Sequence, residues 1–264
     1  MSQAAEQAAP ALELERPIAI YACDIDGCLA AADHAAYDLE ALGKMAAYNA
    51  RAGADEAIPK LTLVTGRPQP YADAVSQMLA VDLPYSFENG AGLATRRPNR
   101  AWLSSEVGSL LDELQAFAKA VEDEPKLTLQ LGKVASLSVF PEASDYPMAD
   151  LLHDVRTLLE DGGYPLHLDP STGCINVLIP GIDKTSGFDW LLSEIDADPA
   201  AVAGIGDSVG DLGWLGRCGL SVAPVNAVPE VIAAVDLKLP GRDVGSALAA
   251  YEALIDANRK LLQR

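Results

Sequence analysis

An uninterrupted apolar run from Ile18 to Cys23 passes directly into Asp24-Ile25-Asp26-Gly27. Apolar residues at consecutive positions indicate a strand buried on both faces, as in parallel sheets covered by helices. Similar runs follow at 61–65, cut by Gly66 and Pro68, at 202–206, at 220–223 and at 236–240. Helical spacing separates them. One helix is expected over about 36–51, ending near Gly53, and another carries Tyr71, Val75, Met78 and Leu79 over 71–80. A short helix is expected from Asp211 to Cys218, and a closing helix carries Val244, Leu248, Tyr251 and Ile255 on one stripe. This alternation predicts the α/β class: a Rossmann-like parallel sheet with helices on both faces, built from residues 17–92 and 181–264.

Residues 93–180 follow a different pattern. A helix through Val107, Leu110, Leu111, Leu114 and Val121 precedes alternating strands at 127–131 and 135–140. A second helix through Met148, Leu151, Leu152, Val155 and Leu159 precedes runs at 164–168 and 174–179. Helix-strand-strand twice over predicts an inserted α+β cap with an antiparallel sheet and helices on one face. If the helices cover Leu127, Leu129, Leu131, Leu137, Val139, Ile175 and Val177, then Thr128, Gln130, Ser136, Ser138, His167 and Asn176 share the other face. That face is either solvated or turned toward a ligand.

Acidic residues outnumber basic ones 38 to 19, and a net charge of −19 disfavours nucleic acid and anionic membrane as partners. No stretch approaches the apolar length of a membrane span. The first sixteen residues lack a basic start and a long apolar run, so they are expected to form a flexible tail rather than a signal peptide. Four cysteines without a CxxC pair and three histidines without zinc-ligand spacing suggest a reduced, cytoplasmic protein.

The chemistry gathers at strand ends, where open parallel sheets bind ligands. Asp24 and Asp26, two apart on extended backbone, turn their carboxylates to one side, where mutual repulsion calls for a cation. Gly27 allows a tight turn. Thr65, Gly66 and Arg67 end the second strand, and a hydroxyl followed by flexible backbone suits a phosphoryl oxygen. Asp207 and Asp211 follow the third strand, about one helical turn apart. Taken singly, an Asp-x-Asp-Gly sequence is usually a surface turn, and acids at 207–211 can cap a helix. Lys184 precedes a helix with the stripe Phe188, Leu191, Leu192 and Ile195; a cation there opposes the helix dipole and is expected to face an anion instead.

In this order the motifs resemble the haloacid dehalogenase superfamily of phosphohydrolases. Asp24-Ile-Asp-Gly is similar to its first motif, Thr65 in Leu-Val-Thr-Gly-Arg to its second, Lys184 to its third, and Gly206-Asp-Ser-Val-Gly-Asp211 to its fourth. Glu88-Asn89-Gly90-Ala91 followed by a long insert is similar to members with a type IIB cap, such as sucrose-phosphate phosphatase and mannosyl-3-phosphoglycerate phosphatase. The resemblance implies a phosphatase acting on a small phosphorylated metabolite, with a sugar phosphate as the expected class. Asp24 would be the nucleophile, Asp26 the general acid and base, and Thr65, Gly66 and Lys184 the phosphoryl-binding groups. Asp24, the backbone carbonyl of Asp26, and Asp207 would hold Mg2+, with Asp211 completing or orienting that set. Substrate contacts are expected from Arg67, Asn89, Gln130, Ser138 and Asn176. A phosphomutase or phosphotransferase, or a non-catalytic binding module, uses the same fold. Three positions depart from the pattern: Cys28 and Thr185 where relatives carry Thr and Gly, and Gly210 where they carry Asn beside the metal.

Overall fold

A computed structural model of the chain describes residues 11–31, 35–171 and 173–263. The first ten residues of the expected tail and His34 lie outside the described residues. From the N-terminus the chain forms β1 (Ile20–Cys23), α1 (Leu39–Asn49), β2 (Lys60–Leu63) and α2 (Gln69–Met78). An antiparallel sheet of β3 (Tyr85–Phe87), β4 (Gly92–Arg96) and β5 (Asn99–Leu103) follows. Next come α3 (Ser105–Gly108), α4 (Leu111–Glu122), β6 (Leu127–Leu129), β7 (Leu137–Pro141), α5 (Met148–Gly162), β8 (His167–Ser171) and β9 (Cys174–Leu178). The chain returns through α6 (Lys184–Glu194), β10 (Val202–Ile205), α7 (Leu212–Leu215), β11 (Leu220–Ala223), α8 (Pro229–Ala234), β12 (Leu237–Lys238) and α9 (Asp243–Leu262).

The central sheet has the order β12-β11-β10-β1-β2, with every pairing parallel. Consecutive residues point to opposite faces, and both faces are covered. Tyr21, Cys23, Leu61, Leu63, Ala203 and Ile205 pack with α1 and α9 on one side. Ile20, Ala22, Val64, Val202 and Ala223 pack with Phe188, Leu191 and Trp214 on the other. This two-sided burial is the reason the strands read as unbroken apolar runs. The fold is therefore the expected α/β core with an inserted α+β unit.

Inside the insert, β6-β7-β9-β8 form an antiparallel sheet, and α4 and α5 cover one face through Leu114, Phe117, Leu151 and Val155. Leu127, Leu137, Val139, Ile175 and Val177 face those helices. Leu131 does not: it is 89% exposed, because β6 ends at Leu129 and Gly132, at φ 85°, turns the chain away. The single helix expected through Val107 to Val121 is two, interrupted at Ser109 and Leu110 after Gly108. The β3-β4-β5 sheet lacks a matching expectation from sequence; its Leu93 and Trp102 pack into the core cluster with Phe188.

Between the core and the insert runs the turn Glu88-Asn89-Gly90. All three residues have positive φ: 48°, 55° and 91°. Such geometry is costly for Glu and persists only where surroundings enforce it. Here the enforcing contact is α6. A Cβ on Gly90 would lie 2.1 Å from the Asp183 carbonyl oxygen, and one on Gly187 would lie 2.3 Å from the Gly90 Cα. The two backbones touch, which fixes the start of α6, and with it Lys184, relative to the turn. Gly187→Ala should therefore cost about 1–3 kcal/mol by overpacking. Urea unfolding measures this; an unchanged midpoint would mean that α6 moves independently of the turn.

Candidate active site

The carboxyl ends of β1, β2, β10 and β11 open onto one cavity of about 720 Å³, roofed by the polar face of the insert. Asp24 continues β1, its amide donating to the Ile205 carbonyl at 3.0 Å. The residue is 3% exposed; Oδ1 accepts from the Ile25 amide at 2.7 Å and Oδ2 from Lys184 Nζ at 2.8 Å. Lys184 opens α6, whose N-cap is formed by Asp183 and Ser186 instead. The ammonium also donates to Asp211 Oδ1 at 2.7 Å. Burial alone favours the neutral amine, but the two carboxylates outweigh it and raise the Lys184 pKa above its ordinary value.

Asp211 is fully buried. Oδ1 accepts from Lys184 and from Trp214 Nε1 at 2.9 Å; Oδ2 accepts from Ser208 Oγ at 2.7 Å and from the Ser208 and Asp207 amides at 2.9 and 3.2 Å. Burial opposes its charge, yet Lys184 and these donors bring its pKa below the usual carboxylate value. Asp211 thus orients both Lys184 and the loop that carries Asp207.

Asp207 has the opposite electrostatics. Burial and then Asp211 push its pKa up to about 7. Burial likewise raises Asp24, with Lys184 opposing and Asp211, Asp207 and Asp26 adding to the rise. Oxygens of Asp24, Asp207 and Asp211 lie within 4.8 Å of one another. Gly27 makes room for this crowding, since a Cβ there would lie 2.0 Å from Asp207 Oδ2. At the strand ends alone, Asp24, Asp26, Asp207 and Asp211 stand against Lys184 and Arg67, an excess of two negative charges when all are ionised. Hard oxygen donors and a two-charge deficit fit a divalent cation.

Arg67 pairs with Asp26, Nε donating to Oδ2 at 2.8 Å, and its guanidinium lies 4.7 Å from the Tyr71 ring centroid. The Tyr71 hydroxyl meets that of Tyr37. Thr65 is buried behind the cavity lining, its Oγ1 accepting from the Arg67 amide at 3.1 Å. Asn89 lines the cavity and is 4% exposed, and its Nδ2 has no hydrogen-bond partner. Its Oδ1 would lie 2.7 Å from a Cβ on Gly66, so the bare backbone of Gly66 is what lets the two approach.

Residues 159–247 match the haloacid dehalogenase-like hydrolase family. The chain is 25% identical over 212 residues to the phosphoglycolate phosphatase of Methanothermobacter thermautotrophicus, covering 80% of this chain and 86% of that one. Among solved structures it is similar to the sucrose-phosphatase of Synechocystis sp. PCC6803, determined with sucrose and phosphate, at a TM-score of 0.64 and 18% identity over 90% of this chain and 98% of that one. A sugar phosphatase of haloacid dehalogenase subclass IIB gives a TM-score of 0.62 at 16% identity, covering 89% and 97%. Across the matched segment and in overall fold, the chain is similar to haloacid dehalogenase-like hydrolases.

In this chain the residues singled out in sequence converge. Asp24, Asp26, Gly66, Arg67, Asn89, Lys184 and Asp207 line the cavity from the core, and Gln130, Ser138 and Asn176 line it from the insert. Thr65 and Asp211 stand behind that lining. Ser136 is drawn aside, its amide and hydroxyl donating to the Glu88 carboxylate at 2.9 and 3.2 Å. His167 keeps the expected face but lines a neighbouring cavity of about 520 Å³. Asp169, Asn226 and Arg242 also line the main cavity without having been recognised from sequence. Alternation from His167 was the available signal for Asp169; Asn226 and Arg242 lie in loops that no periodicity reaches. Lys133, which donates to Ser138 Oγ at 2.7 Å, was also missed.

The Asp207 electrostatics have a measurable sign. An acid with a folded-state pKa near 7 keeps its proton longer than in the unfolded chain, where the value is about 3.9. Without divalent metal, its contribution to stability therefore falls as pH rises from about 4 to 7 and levels off above. Asp207→Asn should remove that decline. Melting curves of both proteins in chelator from pH 4.5 to 8 provide the check: the variant's advantage should widen toward neutral pH, and a constant difference would contradict the assignment.

Proposed function

We propose that this protein is a magnesium-dependent phosphatase that cleaves a small phosphorylated metabolite through an aspartyl-phosphate. The observation that carries the reading is the buried Lys184 ammonium bridging Asp24 and Asp211 beneath the cavity. A phosphate dianion and a carboxylate nucleophile repel, and a fixed cation touching the nucleophile offsets that repulsion where the phosphorus must approach. With Oδ2 on Lys184 and Oδ1 on the Ile25 amide, Asp24 is oriented for attack. Thr65, the Gly66 amide and Lys184 would bind the transferring phosphoryl oxygens.

Asp26 would protonate the leaving alcohol and then deprotonate the attacking water. Its pairing with Arg67 fixes the carboxylate in the cavity wall until the leaving group takes up one of its oxygens. Asp24, Asp207 and the Asp26 carbonyl would hold Mg2+, with Asp211 orienting the set. The ion supplies positive charge against the transferring phosphoryl group. The insert would exclude bulk water and select the leaving group. Sugar phosphates suit the amides and hydroxyls of Gln130, Ser138 and Asn176, in keeping with the sugar phosphatases of similar fold. The phosphoglycolate phosphatase relative adds a second class, a phosphorylated hydroxy acid.

Purified protein should release phosphate from p-nitrophenyl phosphate only with magnesium present. Asp24→Asn should lower turnover by about 10⁴-fold or more while the protein stays folded. Acid-quenched turnover with labelled substrate should leave phosphate on the wild type but not on this variant; label elsewhere, or activity retained by the variant, would remove Asp24 from its role.

Gly210 offers a separate test of the metal assignment. A Cβ there meets nothing closer than 3.8 Å, so asparagine fits without displacing a neighbour. Its amide would reach toward the loop of Asp207 and Asp211, and outer ligand contacts commonly change metal affinity by about tenfold. Gly210→Asn should lower the magnesium concentration for half-maximal rate by a factor of that order. An unchanged or higher value in a magnesium titration would show that another group already fills this role.

A further inference from the structure

The loop between β6 and β7 is unusually well anchored. The Glu88 carboxylate, fully buried, accepts from the amides of Val134, Ala135 and Ser136 at 3.1, 2.8 and 2.9 Å. Glu88 belongs to the strained turn held by α6, so the core grips the loop directly. Lys133 sits inside this grip, just after the turn at Gly132, which packs 3.8 Å from Pro68 by its missing Cβ. Its side chain crosses to the polar sheet face. Nζ donates to Ser138 Oγ at 2.7 Å, Ser138 donates to Asn176 Oδ1 at 2.7 Å, and both partners line the main cavity.

Among the described residues no carboxylate lies within ion-pair distance of this ammonium, and a single hydroxyl occupies one of its three donors. Glu88, whose charge reaches it, has spent its oxygens on backbone amides. Burial lowers the Lys133 pKa to about 8; Glu88 pulls it back up and Arg67 pushes it further down. A half-buried cation hydrogen-bonded to a hydroxyl of the cavity lining, held by rigid backbone and without an ion-pair partner among the described residues, is costly unless an anion arrives. The phosphoryl group cannot be that anion, since it belongs at Asp24 and Lys184 on the core floor. The remaining anion must be part of the leaving group, which extends from the floor toward Ser138 and Asn176.

We propose that Lys133 is a specificity-determining residue that binds a carboxylate on the leaving group, so that the preferred substrates are phosphate monoesters of hydroxycarboxylic acids. The assignment rests on the phosphatase reading and narrows it. One ammonium matches the single charge of a carboxylate. At the far end of the same hydrogen-bonded row, Asn176 Nδ2 reaches Asp169 Oδ2 at 3.5 Å, which leaves Asp169 able to accept from a substrate hydroxyl. The row thus runs from a cation to an anion across the roof and gives the leaving group a direction.

The test compares phosphoglycolate with 2-hydroxyethyl phosphate, which replaces the carboxylate by a neutral alcohol of similar size. Wild type should favour phosphoglycolate in kcat/KM. Lys133→Met should lower that preference by about 10- to 100-fold, the range of a charge-assisted hydrogen bond, and Lys133→Arg should restore most of it. If the Met variant does not fold, Lys133→Gln reads the same ratio. A ratio unmoved by removal of the charge, or a wild type that favours the neutral ester, overturns the assignment. Wild-type hydrolysis of p-nitrophenyl phosphate separates the two readings. With that activity present, an unmoved ratio counts against Lys133 alone. With it absent, the phosphatase reading fails, and calorimetric titration of both esters still decides the binding: tighter phosphoglycolate binding that Lys133→Met abolishes supports the assignment, and equal affinities overturn it.

Discussion

A lysine ammonium clamped between two buried aspartates is the constraint around which this molecule is organised. Neither Lys184 nor Asp211 could be buried singly, because an isolated charge in the interior would neutralise or draw water in. Together they demand that three chain segments meet: the end of β1 carrying Asp24, the loop after β10 carrying Asp211, and the first turn of α6. The parallel sheet makes this meeting possible, since neighbouring β1 and β10 deliver their carboxyl ends side by side. Trp214 completes it, lying against the bare Gly204 of β10 while its indole N–H binds Asp211. Strand packing and site electrostatics therefore meet in the same few residues.

The same logic links core to insert. Glu88 is an acid without a cation, satisfied by three amides and a hydroxyl of the insert loop. Hydrogen bonds from several fixed amides hold such a carboxylate rigidly in place. Because Glu88 follows β3 and its turn touches α6 through Gly90, the contact that sets Lys184 also sets the loop of Lys133. Floor and roof of the cavity are thus registered to each other by backbone contact and buried hydrogen bonds, not by an apolar interface alone.

Much of this was legible in the sequence, for definite reasons. The parallel core announced itself because strands buried on both faces leave unbroken apolar runs. Asp24, Asp26, Asp207 and Lys184 stood out because each ends a strand or opens a helix, where backbone geometry fixes the side chain's direction. The repeated order of helix, strand and strand in the insert was readable from periodicity, and so was the face bearing Ser138 and Asn176. Leu131 was misplaced because alternation alone does not say where a strand stops. The roles of Lys133 and Glu88 behind the cavity roof were not legible. Their positions depend on non-repeating turns and on contacts between segments 46 and 47 residues apart.

The overall charge sharpens the case for local cations. At −19 the chain repels an approaching anion, and at physiological salt that repulsion is screened beyond about 8 Å. Inside the cavity, where water is partly excluded, individual charges govern instead. Lys184 on the floor and Arg67 in the wall are both engaged by carboxylates, so neither is a free anion site until a divalent cation offsets the acids around it. Lys133 differs in having only a hydroxyl for company. A molecule with an anionic group at each end would satisfy both ends of this arrangement at once, the phosphate over the acids and their cation, the second anion beneath the roof. A neutral leaving group would leave Lys133 unmatched, and under the proposed assignment that asymmetry is what would let the cavity choose between substrates.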